Sequence, residues 1–176
     1  MRGNIFLVGP MGAGKSTVGK RLAEVRGMEF VDSDVEIESR TGVDIAYIFE
    51  KEGEAGFRRR ERATLADLTL RHGIVLATGG GAILDPDNRH HLAARGFVVY
   101  LHASVDQQVH RTARTDNRPL LQASTNRRET LQELFETRDP LYREIADLVV
   151  STDGRNARLL VREIEDHLEQ SATGTL

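Results

Sequence analysis

Asn4-Ile5-Phe6-Leu7-Val8-Gly9-Pro10-Met11-Gly12-Ala13-Gly14-Lys15-Ser16-Thr17 is the stretch on which the fold turns. Its first part, 4–8, is a short apolar run, as in a strand covered on both faces. Residues 9–16 have the form Gly-x-x-x-x-Gly-Lys-Ser, and residues 17–26 continue as an amphipathic helical pattern. Strand, glycine-rich loop and helix in that order make a cradle for an anion. Small residues let backbone N–H groups turn into the loop, and the helix N-terminus adds partial positive charge. Lys15 is then placed to reach β- and γ-phosphates, and Ser16 to ligate Mg²⁺. Gly12, Ala13, Gly14, Lys15, Ser16 and Thr17 are therefore the candidate contacts to a nucleoside triphosphate. An ordinary glycine-rich turn would not require the Lys-Ser pair in register.

Outward from this loop, short apolar runs alternate with longer amphipathic segments. Strands are expected at 4–8, 29–31, 74–77, 98–101 and 148–150. Helices are expected at 15–26, 35–40, 45–52, 56–71, 86–94, 105–114, 127–137 and 157–169, with the tail 170–176 fraying beyond them. The alternation predicts an α/β chain, a parallel sheet with helices on both faces and the site along one edge. The 176 residues suit a single domain, 1–176. A net charge of −3 gives no basic footprint for nucleic acid, and no apolar stretch is long enough to span a bilayer. There is no cysteine, which excludes a disulfide framework and suits a reducing cytoplasm. The N-terminus runs directly into the first strand, so no signal peptide is expected. The six histidines show no metal spacing and read as structural or surface residues.

Four further constellations stand out. Asp32-Ser33-Asp34 closes the second strand, near the loop mouth of a parallel sheet. One carboxylate there can hold Mg²⁺ through water while the other accepts a hydrogen bond from an attacking hydroxyl; the alternative is a helix N-cap supplied by Ser33 or Asp34. In Phe57-Arg58-Arg59-Arg60-Glu61, helical spacing pairs Arg58 with Glu61, which would hold one guanidinium for a carboxylate. A solvated basic face is the alternative. Thr78-Gly79-Gly80-Gly81-Ala82 follows the third strand and permits close approach of backbone N–H groups to a ligand. Arg138-Asp139-Pro140-Leu141-Tyr142 offers a second anion grip ahead of a helix that Pro140 would open, or simply a cation at a helix C-terminus. Residues 114–125 carry Arg114 and Arg118 without periodicity and suggest a lid, or a plain surface loop.

The order of these motifs resembles the shikimate kinases, small P-loop kinases of the nucleoside-monophosphate-kinase type. The resemblance rests on Gly9 to Thr17, Asp32-Ser33-Asp34, Thr41-Gly42, Gly53-Glu54, Phe57-Arg58 through Glu61, Gly79-Gly80-Gly81, Arg118-Pro119-Leu120-Leu121 and Arg138 to Tyr142, and spans nearly the whole chain. It implies a three-layer α/β/α P-loop NTPase fold with sheet order 2-3-1-4-5, a substrate-binding subdomain at about 34–62 and a lid at about 112–125. It implies ATP and shikimate as partners, Mg²⁺ on Ser16 and, through water, Asp32, and a monomeric cytoplasmic enzyme. Asp34 would orient the 3-hydroxyl, Arg58, Arg138, Gly80 and Gly81 would hold shikimate, and Lys15 with Arg118 would stabilise the transferring phosphoryl group. Arg111 and Arg155 would lie on the adenine side. The product would be shikimate 3-phosphate, within aromatic amino-acid synthesis. Two other readings remain open from the sequence: a P-loop kinase of another small hydroxy acid such as gluconate, and a catalytically silent nucleotide-binding regulatory module.

Overall fold

The first strand, β1 (Ile5–Val8), is buried along its whole length, and its alternation sends side chains into two separate cores. A computed structural model describes residues 3–113 and 126–173. Four further strands, β2 (Glu29–Asp32), β3 (Ile74–Ala77), β4 (Phe97–His102) and β5 (Leu148–Ser151), complete one sheet in the order β2-β3-β1-β4-β5. Every pairing is parallel, with Phe6 of β1 opposite Leu76 of β3 and Val98 of β4. Parallel neighbours need crossovers, and the crossovers are helices on both faces. The chain is thus the three-layer α/β/α fold that its pattern of elements predicts.

On one face, Ile5 and Leu7 meet Val18 and Leu22 of α1 (Lys15–Arg26) and Leu160 and Ile164 of the last helix, α7 (Ala157–Thr173). On the other, Phe6 and Val8 meet Leu65 and Leu68 of α3 (Ile45–Leu68), Leu92 of α4 (Pro86–Arg95) and Tyr142 of α6 (Arg127–Ile145). Leu7 is fully enclosed; truncation there to alanine would cost about 2–5 kcal/mol. A satellite cluster of Ile37, Ile48 and Phe57 ties α2 (Ser33–Thr41) to α3, with Phe49 and Phe57 rings 4.9 Å apart. This small core lies within the 34–62 segment expected to form a subdomain. Helix α5 (Val105–Thr112) leans on α6 through Met11, Val105, Val109 and Leu131.

Three expectations about helix bounds change. The segments at 45–52 and 56–71 form one helix, α3, broken at Gly53 (φ 71°, ψ −177°). The helix expected to stop at 137 runs through Pro140 to Ile145. Proline lacks the N–H that would bond the carbonyl of Glu136, yet both residues lie on the exposed face, where water can serve that carbonyl. Arg138 therefore sits inside a helix rather than ahead of one. The tail expected to fray from 170 continues α7 to Thr173. Most of the expected lid, 114–125, lies outside the described residues.

Candidate active site

The C-terminal ends of β1, β2 and β3 open onto a cleft of about 550 Å³ lined by the whole Gly12–Val18 segment, Asp32, Asp34, Thr78, Gly79, Gly80, Arg111 and Arg155. The loop from Gly9 enters α1 through Gly14, whose φ of 88° is a left-handed conformation that favours glycine. Lys15 folds back over the loop and donates from Nζ to the carbonyls of Gly9 (2.7 Å) and Pro10 (2.8 Å). From across the cleft Arg111 donates to the Gly12 carbonyl at 3.0 Å. Both cations line the cleft that the loop faces. Arg155 lines the far end of the cleft, held by the Ser151 carbonyl at 3.1 Å and by Glu163.

Asp32 divides its two oxygens between two tasks. Oδ1 accepts from the N–H groups of Asp34 (2.9 Å) and Val35 (3.2 Å), so Asp32 is the N-cap of α2. The cap expected from Ser33 or Asp34 is supplied one residue earlier, because β2 runs into α2 without a loop. Oδ2 accepts from the Ser16 hydroxyl at 2.8 Å. Ser16 and Asp32 thus form an all-oxygen pair beside the phosphate loop, a donor set that suits a hard cation such as Mg²⁺. Among the described residues no cluster of three His, Cys, Asp or Glu side chains could hold a metal alone. Ser33 is fully buried and accepts from the Gly79 N–H at 3.2 Å, which locks the triglycine loop to the start of α2.

Each glycine of that loop makes room for a different charged group. A Cβ on Gly79 would lie 2.9 Å from Asp34 Oδ1 and 3.1 Å from Glu61 Oε2. One on Gly80 would lie 3.4 Å from Arg138 Nη1 and 3.6 Å from the Met11 nitrogen. One on Gly81 would overlap the Arg58 guanidinium. The loop is therefore the meeting point of Asp34, Arg58, Glu61 and Arg138, and a side chain at Gly79 or Gly81 would displace one of them. Arg58 donates to Glu61 Oε1 at 2.9 Å and pairs with Glu54 at 3.3 Å. This resolves the alternatives for that segment: Arg58 turns inward, while Arg60 leaves on the exposed side to pair with Glu52.

Burial dominates the electrostatics of this second half. Glu61 is 1% exposed, and desolvation, opposed by Arg58, pushes its carboxyl up to about 7. Its Oε2 is buried with no hydrogen-bond partner among the described residues. Arg138 is 4% exposed; burial lowers its pKa, and the nearby Arg58 charge acts in the same direction. Two arginines held this close, one of them buried, form a site that a carboxylate would relieve.

Sequence reasoning named Lys15, Ser16, Asp32, Asp34, Arg58, Gly80, Gly81, Arg111, Arg138 and Arg155, and all lie around this cleft or the glycine loop beside it. Arg118 lies outside the described residues. Two contributors were missed. Ser33 was read only as a possible cap. Tyr142, whose hydroxyl donates to the Gly80 carbonyl, was hidden because the helix was ended before Pro140. Its spacing of four from Arg138 is the signal that a continuous helix would have revealed.

Residues 11–169 match the family model for shikimate kinase. A shikimate kinase of Methylococcus capsulatus is 59% identical over 172 residues, covering 98% of this chain and 96% of that protein. The solved structure of a shikimate kinase from Acinetobacter baumannii in complex with shikimate superposes with a TM-score of 0.93 at 53% identity, covering 96% of this chain and 94% of the other. A gluconokinase from Sinorhizobium meliloti 1021 shares the fold at a TM-score of 0.63 but only 22% identity, over 98% of this chain and 94% of its own. The phosphate loop, the paired arginines and the glycine loop thus occur in a chain that matches one family over nearly all of its length: it belongs to the shikimate kinase family.

Proposed function

We propose that this chain transfers the γ-phosphoryl group of ATP to the 3-hydroxyl of shikimate, with the following division of labour. The observation that carries the proposal is the convergence of Asp34, Arg58 and Arg138 on the three glycines at the edge of the phosphate loop. Membership of the family makes shikimate the acceptor to which that geometry is fitted. Arg58 and Arg138 grip the carboxylate of the rigid acceptor, and backbone groups of Gly80 and Gly81 flank it. Asp34 accepts a hydrogen bond from the 3-hydroxyl and aims its oxygen at the γ-phosphorus. As the new P–O bond forms, the bond from phosphorus to the β-bridging oxygen breaks; ADP leaves, and the hydroxyl proton passes to Asp34. Such transfer has a loose transition state, so orientation and charge stabilisation count for more than strong deprotonation.

Residues Gly12 to Thr17 hold the phosphates through backbone N–H groups. Lys15 exchanges its bonds to the Gly9 and Pro10 carbonyls for phosphate oxygens. Arg118 supplies a second positive charge to the transferring group. Arg111 and Arg155 bracket the end of the cleft that takes adenine. Ser16, with Asp32 through water, would hold Mg²⁺. When bound, that ion neutralises charge on the β- and γ-phosphate oxygens. Segment 34–62 acts as the acceptor subdomain and 112–125 as the lid, whose closure excludes water.

The test is ADP release by purified protein with Mg²⁺-ATP, comparing shikimate, gluconate and nucleoside monophosphates, with product mass confirmed. Shikimate-dependent turnover alone is the expected result. Turnover only with another acceptor would overturn the assignment of Arg58 and Arg138. ATP binding without any turnover would overturn transfer itself.

A further inference from the structure

Tyr142 lies one helical turn after Arg138 on α6, so both side chains leave the same face. Its ring is 2% exposed and packs on Tyr100 with centroids 4.9 Å apart. Its hydroxyl donates to the Gly80 carbonyl, and the Arg138 guanidinium borders the same glycine, its Nη1 3.4 Å from where a Gly80 Cβ would stand. The phenol thus commits its single proton to the glycine loop, beside the arginine. The Gly80 carbonyl and the Gly81 N–H belong to one planar peptide unit, and among the described residues no peptide bond is cis. In a trans unit the two groups point in opposite directions. Anchoring the carbonyl on Tyr142 therefore sets the direction of the Gly81 N–H.

We propose that Tyr142 is a positioning residue for the acceptor: its hydroxyl fixes the Arg138 guanidinium and the Gly81 N–H in one mutual geometry that receives a carboxylate. This rests on the reading above that Arg138 and Gly81 face shikimate. Arg138 needs such support, because its Nε is buried without a hydrogen-bond partner among the described residues and its Nη1 borders Gly80. Full burial raises the Tyr142 pKa, so the hydroxyl keeps its proton and its donor role at neutral pH. A residue that only stiffened α6 would not need its polar atom on the glycine loop.

Tyr142→Phe keeps the ring and its packing on Tyr100 and removes only the oxygen. The expected result is a shikimate KM and Kd raised about 10-fold, with the ATP KM within about 2-fold of the parent value. In an Arg138→Lys background the same substitution should weaken shikimate by less than about 3-fold, because the hydroxyl acts through that guanidinium. Unchanged shikimate affinity, equal weakening of both substrates, or the full loss in the Arg138→Lys background would each overturn the proposal. Should the variant fail to fold, the parent protein supplies the test by NMR. The Gly81 amide and Arg138 Nε–H resonances should shift on titration with shikimate and stay in place with ADP alone; a Gly81 amide indifferent to shikimate overturns it. Absence of shikimate turnover in the parent protein would instead defeat the functional reading.

Discussion

The two sides of the cleft are built by opposite means. The phosphate-loop side is contiguous, and its side chains rest on their own surroundings: Lys15 on the Gly9 and Pro10 carbonyls, Arg111 on Gly12, Ser16 on Asp32. The glycine-loop side gathers Asp34, Arg58, Glu61 and Arg138 from α2, α3 and α6, and it buries Glu61 and Arg138 almost completely. A phosphate can be held by backbone N–H groups, which any short loop of the right shape provides. A carboxylate on a rigid ring has to be met by charged side chains at fixed angles, which a local segment cannot supply. On the proposed reading, the first side recognises a class of ligand and the second selects one member of a class.

The sharpest way to break this contrast is Asp34→Asn. It should lower kcat by about 10²–10⁴-fold while the ATP Kd stays within about 2-fold, as read by single-turnover kinetics and calorimetry. Intact transfer would remove Asp34 from the reaction. Next comes Lys15→Met, which should lower kcat by about 10²–10³-fold without changing shikimate affinity. A loss of shikimate binding there would merge the two sides. Arg58→Lys keeps the charge but loses the planar fork; the shikimate KM should rise about 10-fold with the ATP KM unmoved. The reverse pattern would put Arg58 on the nucleotide side.

Two smaller effects concern stability. Glu61 is raised from 4.5 to about 7 by burial, so the folded state binds its proton more tightly than the unfolded chain. The contribution is present below the unfolded value and is lost as pH rises through about 7. Glu61→Gln should flatten the stability profile between those limits by about 1–3 kcal/mol, followed by urea unfolding at several pH values. An unchanged slope would mean that Arg58 holds Glu61 ionised in the folded protein. Lowest on the scale, Tyr100→Phe removes the 2.6 Å hydrogen bond from Tyr100 to Asp139, which Arg143 also pairs. The expected cost is about 1 kcal/mol, or about 2–4 °C in Tm, with both KM values unchanged. A kinetic effect would show that the tyrosine stack communicates with the site.

What the sequence determined by itself is what short-range chemistry controls. The apolar run, glycine pattern and Lys-Ser pair specify strand, cradle and helix within one stretch. Regular alternation of runs and helical patterns specifies a layered parallel sheet, and the order of the motifs marks the family. The i,i+3 spacing of Arg58 and Glu61 was likewise legible, since helix geometry alone brings them together. Tertiary structure decided the rest. It chose Asp32 over Ser33 and Asp34 as the cap, because the strand leads directly into α2. It carried α6 through Pro140, because Pro140 and Glu136 lie on the solvent face while Arg138 and Tyr142 are buried. It also placed each glycine of 79–81 against a different charged group. Such outcomes depend on which face of one element lies against which face of another, and no spacing along a single segment encodes that.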